Sequence, residues 1–331
     1  MEVVTVTEAY AGTYQEAYEV VVIGGGAAGL SAALVLGRAR RRTLVVDAGE
    51  PRNAPAAHMQ GYLSRDGMPP AEFLAVGREE IARYGVELVR DKAVDVHRDS
   101  DEDADADAGD FAVVLGSGRT VRARRLVVAT GLADELPPVP GVAGRFGRDV
   151  LHCPYCHGWE VRDEAFGVLA TSPMSVHQAL LVTQWSKDVT LFAHTVGEDA
   201  LSDEDLRRLA AAGVSVVPGE VVELVVEDDR LTGVRLADGS VHARTAVFVA
   251  PRFVPRTGLL ERLGAETKET PFGSAPVTDE TGRTTVPGVW AVGNATLLSQ
   301  QVVHAAGDGY KAAATINNEM IMEDIERRVP N

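Results

Sequence analysis

The sequence predicts an α/β protein of two doubly wound, three-layer domains. Three observations carry this: a strand–glycine turn–helix–strand block at residues 19–47, a second strand–helix–strand block at 166–193, and a single pair of cysteines between them. At about 150 residues per domain, a chain of 331 residues fills two domains, each able to bury a core.

The first block opens on Glu19–Ile23, a short apolar run that reads as a buried strand, after a polar, aperiodic leader at 1–17. Gly24-Gly25-Gly26-Ala27-Ala28-Gly29 follows at once, Leu30 to Ala39 reads as a helix, and Thr43–Asp47 is a strand that ends in an acid. Each glycine has a task in this pattern. Gly24 makes the tight turn, Gly26 lets a pyrophosphate approach, and Gly29 lets helix pack on strand. The helix N-terminus offers free N–H groups and a favourable dipole to the phosphates, and Asp47 can accept from ribose hydroxyls. Strand, glycines, helix, strand and acid together form a dinucleotide-binding fingerprint.

Residues 71–84 read as an amphipathic helix, and Val86–Val89 and Val94–His97 as short strands. The acidic, alanine-spaced run Asp99–Asp110 reads as a solvated hairpin loop without a function. Phe111–Leu115 and Thr120–Val128 fit hairpin strands, the second ending in Ala129-Thr130-Gly131, and the prolines and glycine of 137–141 read as a linker. Phe166–Ala170, Val176–Gln184 and Val189–Ala193 then repeat strand, helix and strand. Further strands are expected at Ser215–Val226, Gly233–Leu236 and Ala246–Ala250, with a return linker at Pro251–Pro255. The last block, Thr285–Asn294, reads as a turn, a buried strand and a glycine turn. A final helix runs from about Gln300 to Met320, where Gly307 and Gly309 permit close approach of backbone or cofactor.

Composition excludes several classes of function. Apolar content of 45% with 24% charged residues is that of a globular enzyme. A net charge of −16 argues against nucleic acid and anionic membrane surfaces as partners. No uninterrupted apolar stretch reaches the roughly 18 residues of a membrane span. The N-terminus has no basic region followed by an apolar run, so a cytoplasmic location is expected.

Cys153 and Cys156 are the only cysteines in the chain. A disulfide between them closes a loop too short to constrain the unfolded chain, so stability does not explain them. Their spacing is that of a redox pair in which disulfide and dithiol interconvert. Pro154 stiffens the turn, and the flanking His152 and His157 can help hold a thiolate. Three other readings fit the same letters. Cys153–His157 matches the attachment pattern of c-type haem, a zinc site would need a second ligand pair, and two buried cysteines could do nothing. No metal is expected.

In this order the pieces resemble the thioredoxin-reductase-like flavoproteins over almost the whole chain. The resemblance rests on Gly24–Gly29, Asp47, Ala129–Gly131, Cys153–Cys156, and the block from Pro287-Gly288 to Asn294 followed by Gln301. It implies two Rossmann-like domains. FAD is bound by a discontinuous one, residues 1–136 with 256–331, and a smaller one, 137–255, is inserted and carries the cysteines. It also implies a homodimer. By position, Gly24, Gly26, Ala28, Gly29, Asp47, Ala129, Thr130, Gly131, Gly293, Asn294, Gln301 and Val302 line the cofactor, with Arg52, His58 and Val94 as weaker carry-overs. Asn294 stands where the family has an aspartate.

The inserted domain departs from that family. Thioredoxin reductases hold NADPH there on a second glycine-rich turn and a following His-Arg-Arg. This chain has Ala170-Thr171-Ser172-Pro173-Met174-Ser175 and then Ala193-His194-Thr195. Each lost arginine contact removes roughly 1.5–3 kcal/mol, so losing two weakens NADPH by about 10²–10⁴-fold. A flavin beside a redox pair without a nicotinamide site resembles the dithiol oxidases of gliotoxin, holomycin and romidepsin biosynthesis, as does the run Cys153–Glu160. That resemblance implies a small dithiol as substrate and O₂ as acceptor, with H₂O₂ released. Cys153 is then the outer sulfur attacked by substrate, Cys156 the flavin-side sulfur, and His157 the acid–base group. His304 and Asp308 are a candidate second relay. Two alternatives remain: a thioredoxin-type reductase fed by a ferredoxin-like donor, and a non-catalytic flavin redox sensor.

Overall fold

The computed structural model describes residues 16–98, 111–172, 174–197, 200–270 and 273–329. The acidic run from 99 and the leader up to residue 15 lie outside the described residues. The chain divides into two compact units, one of Met1–Pro51, Leu74–Ala133 and Pro255–Asn331, the other of Arg52–Phe73 and Asp134–Val254.

In the first unit a mixed sheet runs in the order Glu87–Val89, Thr43–Val46, Glu16–Ile23, Thr120–Val128, Phe111–Leu115, Ala93–Arg98. The first four of these strands are parallel and the last two are antiparallel additions. Thr120–Val128 is long enough to serve two partners along one edge. Its first half pairs with Phe111–Val114, and Leu126–Val128 pairs in parallel with Val289–Ala291. On Glu16–Ile23, Val21 and Ile23 enter a core with Leu44, Phe111, Leu126 and Leu260, as the period of two requires. Val22 faces the other way, toward the helix Ala27–Arg38.

The terminal helix, Val302–Glu326, packs along Ala27–Arg38 and runs past the Met320 end expected from sequence. The extra turns are held by charge. Asp324 accepts from Arg41 and from Arg124, each at 3.0 Å, and Glu323 pairs with Arg125. Arg41 and Arg124 have side chains only 10% and 8% exposed, so they need these partners. Burial opposes the charged form of Asp324. Bonds from Arg41 and Arg124 outweigh it and hold its pKa below the ordinary 3.8. Its contribution is therefore complete above about pH 4 and lost as pH falls through the lowered value. Asp324→Asn is expected to cost about 2–3 kcal/mol at pH 7, read from the urea midpoint. The deficit should shrink in acid, and a variant equal to wild type at pH 7 would show the clamp to be idle.

The second unit holds a five-stranded parallel sheet ordered Ser215–Val217, Val189–Phe192, Phe166–Leu169, Ala246–Val249, Val150–Leu151. A separate antiparallel meander is made of Val221–Glu227, Arg230–Leu236 and Val241–Ala243. The single strand expected over Ser215–Val226 is thus two strands in two sheets. Gly219, at φ +103°, turns the chain between them. Residues 52–73 belong to this unit. Arg52 grips Asp134 bidentately at 2.8 and 2.7 Å, and its guanidinium lies 4.8 Å over the Phe253 ring. The return linker expected at Pro251–Pro255 is instead a strand, Arg252–Pro255, paired with Leu132–Glu135. Arg252 bonds Glu135 across that ribbon, a tertiary contact that overrides the reading of two prolines as a loop. Among the described residues no helix is long and apolar enough to cross a membrane, and no group of three or more His, Cys, Asp and Glu could hold a metal.

Candidate active site

The redox turn leaves the edge strand Val150–Leu151 and enters a four-residue helix, Pro154–His157. Proline suits the first helical position because its missing N–H is one no helix would use. Cys153 is the N-cap, extended at φ −97° and ψ 113°, and its carbonyl accepts from Cys156 N–H at 3.1 Å and His157 N–H at 3.2 Å. The two cysteines are joined as a disulfide with their Cα atoms 5.3 Å apart. Gly158 closes the helix against Trp185: a Cβ there would sit 2.8 Å from the indole and 2.6 Å from the Pro154 carbonyl. Trp185 in turn meets the ring of Tyr155 edge-on, with centroids 5.5 Å apart.

Both flanking histidines are half-buried. Burial pushes the pKa of His157 below 6.5 against the opposing pull of the Glu160 carboxylate, so its imidazole is neutral at pH 7. A neutral imidazole can accept a proton and is not a standing cation beside the cysteines. His152 is also pushed down by burial. Its Nδ1 lies 3.2 Å from the Val249 carbonyl, which can only accept, so the proton sits on Nδ1. The Phe253 edge and a bond from Gln178 Nε2 to the His152 carbonyl fix it further.

The switch point of this parallel sheet, between Phe166–Leu169 and Ala246–Val249 where the strand order reverses, is the usual place for a nucleotide in such folds. Its polar groups bond one another. The N–H groups of Thr171 and Ser172 donate to the buried Ser175 hydroxyl at 3.2 and 3.4 Å. Thr171 Oγ1 donates to the Ala250 carbonyl, joining the loops after two adjacent strands, and Thr195 Oγ1 donates to the Ala170 carbonyl. His194, at φ +42°, turns inward, where its Nδ1 accepts from Val221 N–H. Sequence showed missing glycines and arginines. It did not show that hydroxyls had taken over the amides.

In the first unit the dinucleotide turn has the shape of a cofactor cradle. Gly24 has φ +114°, and a Cβ there would meet the Ala129 carbonyl oxygen at 2.3 Å. Gly29 lies against Gly24 O, where a Cβ would come within 1.9 Å. At Gly26 a Cβ would meet nothing within 4 Å, and no side chain caps the helix that Gly26 begins. Open space in front of uncapped amides is what a pyrophosphate needs, so the residues fit FAD. Asp47 Oδ1 accepts from Gly25 and Gly49 N–H, and Oδ2 pairs with Arg90. Arg90 was not foreseen, since no motif marks it.

Around this cradle the structure gathers Ala129, whose N–H donates to the Ile23 carbonyl, and Gly293, whose Cβ position falls 2.9 Å from Ala28 Cβ. Thr130 Oγ1 bonds the Arg256 carbonyl, and Gly131 follows in a left-handed conformation. Asn294 Nδ2 donates to the carbonyls of Leu297, Leu298 and Gln300 at 3.1–3.3 Å. An aspartate here would face three carbonyl oxygens with a carboxylate, which accounts for the amide. Gln301 is the N-cap of the terminal helix and Val302 its first residue. His304 and Asp308 do not bond each other: His304 Nδ1 accepts from Gln301 N–H, and Asp308 from Gln300 Nε2. Val94 is exposed on its strand. Arg52 and the exposed His58 lie in the second unit.

The sequence profile of the pyridine nucleotide-disulphide oxidoreductases matches residues 18–309, and the chain belongs to that family. Within it, the chain is an oxidoreductase of the thioredoxin-reductase-like flavoprotein type. It is 31% identical over 326 residues to the protein named thioredoxin reductase sirT of Leptosphaeria maculans, covering 94% of this chain and 97% of that one. It is 30% identical over 312 residues to thioredoxin reductase tcpT of Claviceps purpurea, covering 92% and 95%. The crystal structure of HlmI superposes with a TM-score of 0.87 at 53% identity, covering 94% of this chain and 95% of that one.

Proposed function

We propose that this protein is an FAD-dependent dithiol oxidase that closes a disulfide in a small natural product and delivers the electrons to O₂ as H₂O₂. The observation that carries the reading is the self-bonded nucleotide turn in a chain with an intact redox pair. The amides that would cradle the pyrophosphate of NADPH are satisfied by Ser175, which supports entry of electrons through the cysteines. The run Cys153–Glu160, similar to that of the dithiol oxidases, supports the same direction of flow.

Gly24–Gly29, Asp47, Ala129–Gly131, Gly293 and Asn294 would hold FAD, which would supply a two-electron acceptor for the thiols that O₂ can reoxidise. The cysteines do the exchange. Neutral His157 takes the proton of one substrate thiol, and the resulting thiolate attacks Cys153 Sγ. The Cys153–Cys156 bond breaks and Cys156 leaves as a thiolate. The second substrate thiol, losing its proton, attacks the substrate sulfur of the mixed disulfide. The product leaves as a disulfide and Cys153 as a thiolate that takes up a proton. Two substrate thiols are oxidised and one protein disulfide is reduced. The reading takes the enzyme to be a homodimer, as the resemblance implies.

The purified protein should be yellow. Under anaerobic conditions NADPH and NADH should leave the flavin oxidised, dithiothreitol should bleach it, and air should restore the colour with release of H₂O₂. Rapid stoichiometric bleaching by NADPH would return the protein to the ordinary thioredoxin reductases.

A further inference from the structure

The strand that leads into the redox turn is held by a side chain from another element. Val150–Leu151 pairs with Val247–Phe248 over two residues, and the ladder stops there. One rung further on stand His152 and Val249, and side chains make the bonds that link them. Gln178 Nε2 donates to the His152 carbonyl at 2.8 Å and reaches the Val249 carbonyl at 3.4 Å. His152 Nδ1 donates to that same Val249 carbonyl at 3.2 Å. Gln178 belongs to the helix Met174–Val182 and is 7% exposed. Both groups it meets are carbonyls, so its amide is turned with the nitrogen toward them. Its Oε1 is buried as well and has no partner among the described residues. A buried oxygen without a donor is destabilising, and a methionine or leucine would fill the same space without one. The glutamine is therefore explained by its nitrogen and not by packing.

We infer that Gln178 is a positioning residue for the redox pair: by holding the His152 carbonyl it fixes the backbone on which Cys153 leaves the sheet, and so favours the closed disulfide over the dithiol. The inference rests on the reading of Cys153 and Cys156 as an exchanging pair. Closing the bond requires Cys153 to stay where Cys156 can reach it. Cys153 follows His152 directly and is the N-cap of the four-residue helix that carries Cys156. A ladder that ends at Leu151 does not restrain it. With the His152 carbonyl released, the start of the turn gains freedom in the dithiol, and forming the disulfide then has to remove that freedom.

The test poises the FAD-loaded protein anaerobically in mixtures of reduced and oxidised glutathione. Two glutathione thiols become one glutathione disulfide as the Cys153–Cys156 bond takes up two electrons and two protons. Acid quenching, alkylation of free thiols and mass measurement give the dithiol fraction. Gln178→Met should shift the equilibrium toward the dithiol about fivefold or more. Its urea midpoint should stay near wild type, since losing the unpartnered oxygen offsets leaving a carbonyl without its donor. Gln178→Leu, a differently shaped side chain without the amide, should give the same shift, so the result does not hang on the packing of one variant. Ser175→Ala, one turn earlier on the same helix, should lower the urea midpoint and leave the equilibrium within twofold. Shifts within twofold in both Gln178 variants, or an equal shift in Ser175→Ala, would overturn the clamp. Glutathione exchange is read without turnover, which separates this from the oxidase reading. A wild-type pair that shows these shifts but releases no H₂O₂ with a small dithiol would remove the oxidase and leave the clamp. H₂O₂ release with an unshifted equilibrium in the variants would remove the clamp alone, and a pair that never exchanges with glutathione would remove both.

Discussion

Replacing His157 by alanine should lower the turnover of a small dithiol by about 10²-fold or more near pH 7, the usual effect of losing an acid–base group. Burial depresses the pKa of His157 below 6.5, so the wild-type imidazole is mainly neutral at pH 7 and free to accept a proton there. The wild-type rate should fall as pH drops through the lowered imidazole pKa, which lies below 6.5. The variant should lack that limb, and its residual rate should climb with pH as substrate thiols ionise unaided. FAD content and thermal stability should stay near wild type, because no described contact joins His157 to the cradle residues. Turnover within about threefold of wild type at pH 7 would remove His157 as the base. His304 and Asp308 would not then inherit the role as a pair, since one caps a helix and the other is bonded to Gln300.

A second large effect is expected from two glycines on one helix. A Cβ at Gly309 would lie 2.0 Å from the Ala28 carbonyl oxygen and 2.8 Å from its carbon. Backbone cannot step aside as a flexible side chain can, so Gly309→Ala has to push the terminal helix off Ala27–Arg38. The expected cost is about 3 kcal/mol, at the upper end for overpacking. FAD affinity should fall with it, because Ala28 lies in the first turn of the cofactor helix. At Gly307 a Cβ would meet nothing within 4 Å, so Gly307→Ala should stabilise by up to about 1 kcal/mol through helix propensity alone. Urea unfolding of both variants, with bound flavin read by absorbance, decides the matter; equal shifts would show that the close approach is not rigid.

Sequence paired these glycines as equivalents, and the contrast shows where its reach ends. The close backbone approaches at Gly24 and Gly29 were legible because local geometry and fixed spacing set them. The pairing of Cys153 with Cys156 was legible because a disulfide across one turn needs a short, specific separation. Gly309 differs from Gly307 only in what lies across the helix, and nothing local records that. The same holds for Trp185 beneath Gly158, for Arg90 on Asp47, and for the three carbonyls that Asn294 answers. The end of the terminal helix was placed too early for a related reason. Its last turns are set by arginines at 41, 124 and 125, far away in the chain.

The bonds around the turn after Phe166–Leu169 also make a nucleotide site hard to build there. Putting glycines at 170 and 172 and arginines at 194 and 195 would restore the letters of a nucleotide site, yet the Ser175 hydroxyl would still occupy the amides of the turn. Removing that hydroxyl first would strand two N–H groups, at about 1–3 kcal/mol for each that stays out of water. Thr171 and Thr195 tie the neighbouring loops in the same way. Each single step back toward nicotinamide binding weakens the fold before any nucleotide can repay it. The turn works as a ratchet: the hydroxyls that satisfy its amides have to be given up before a nucleotide could take their place.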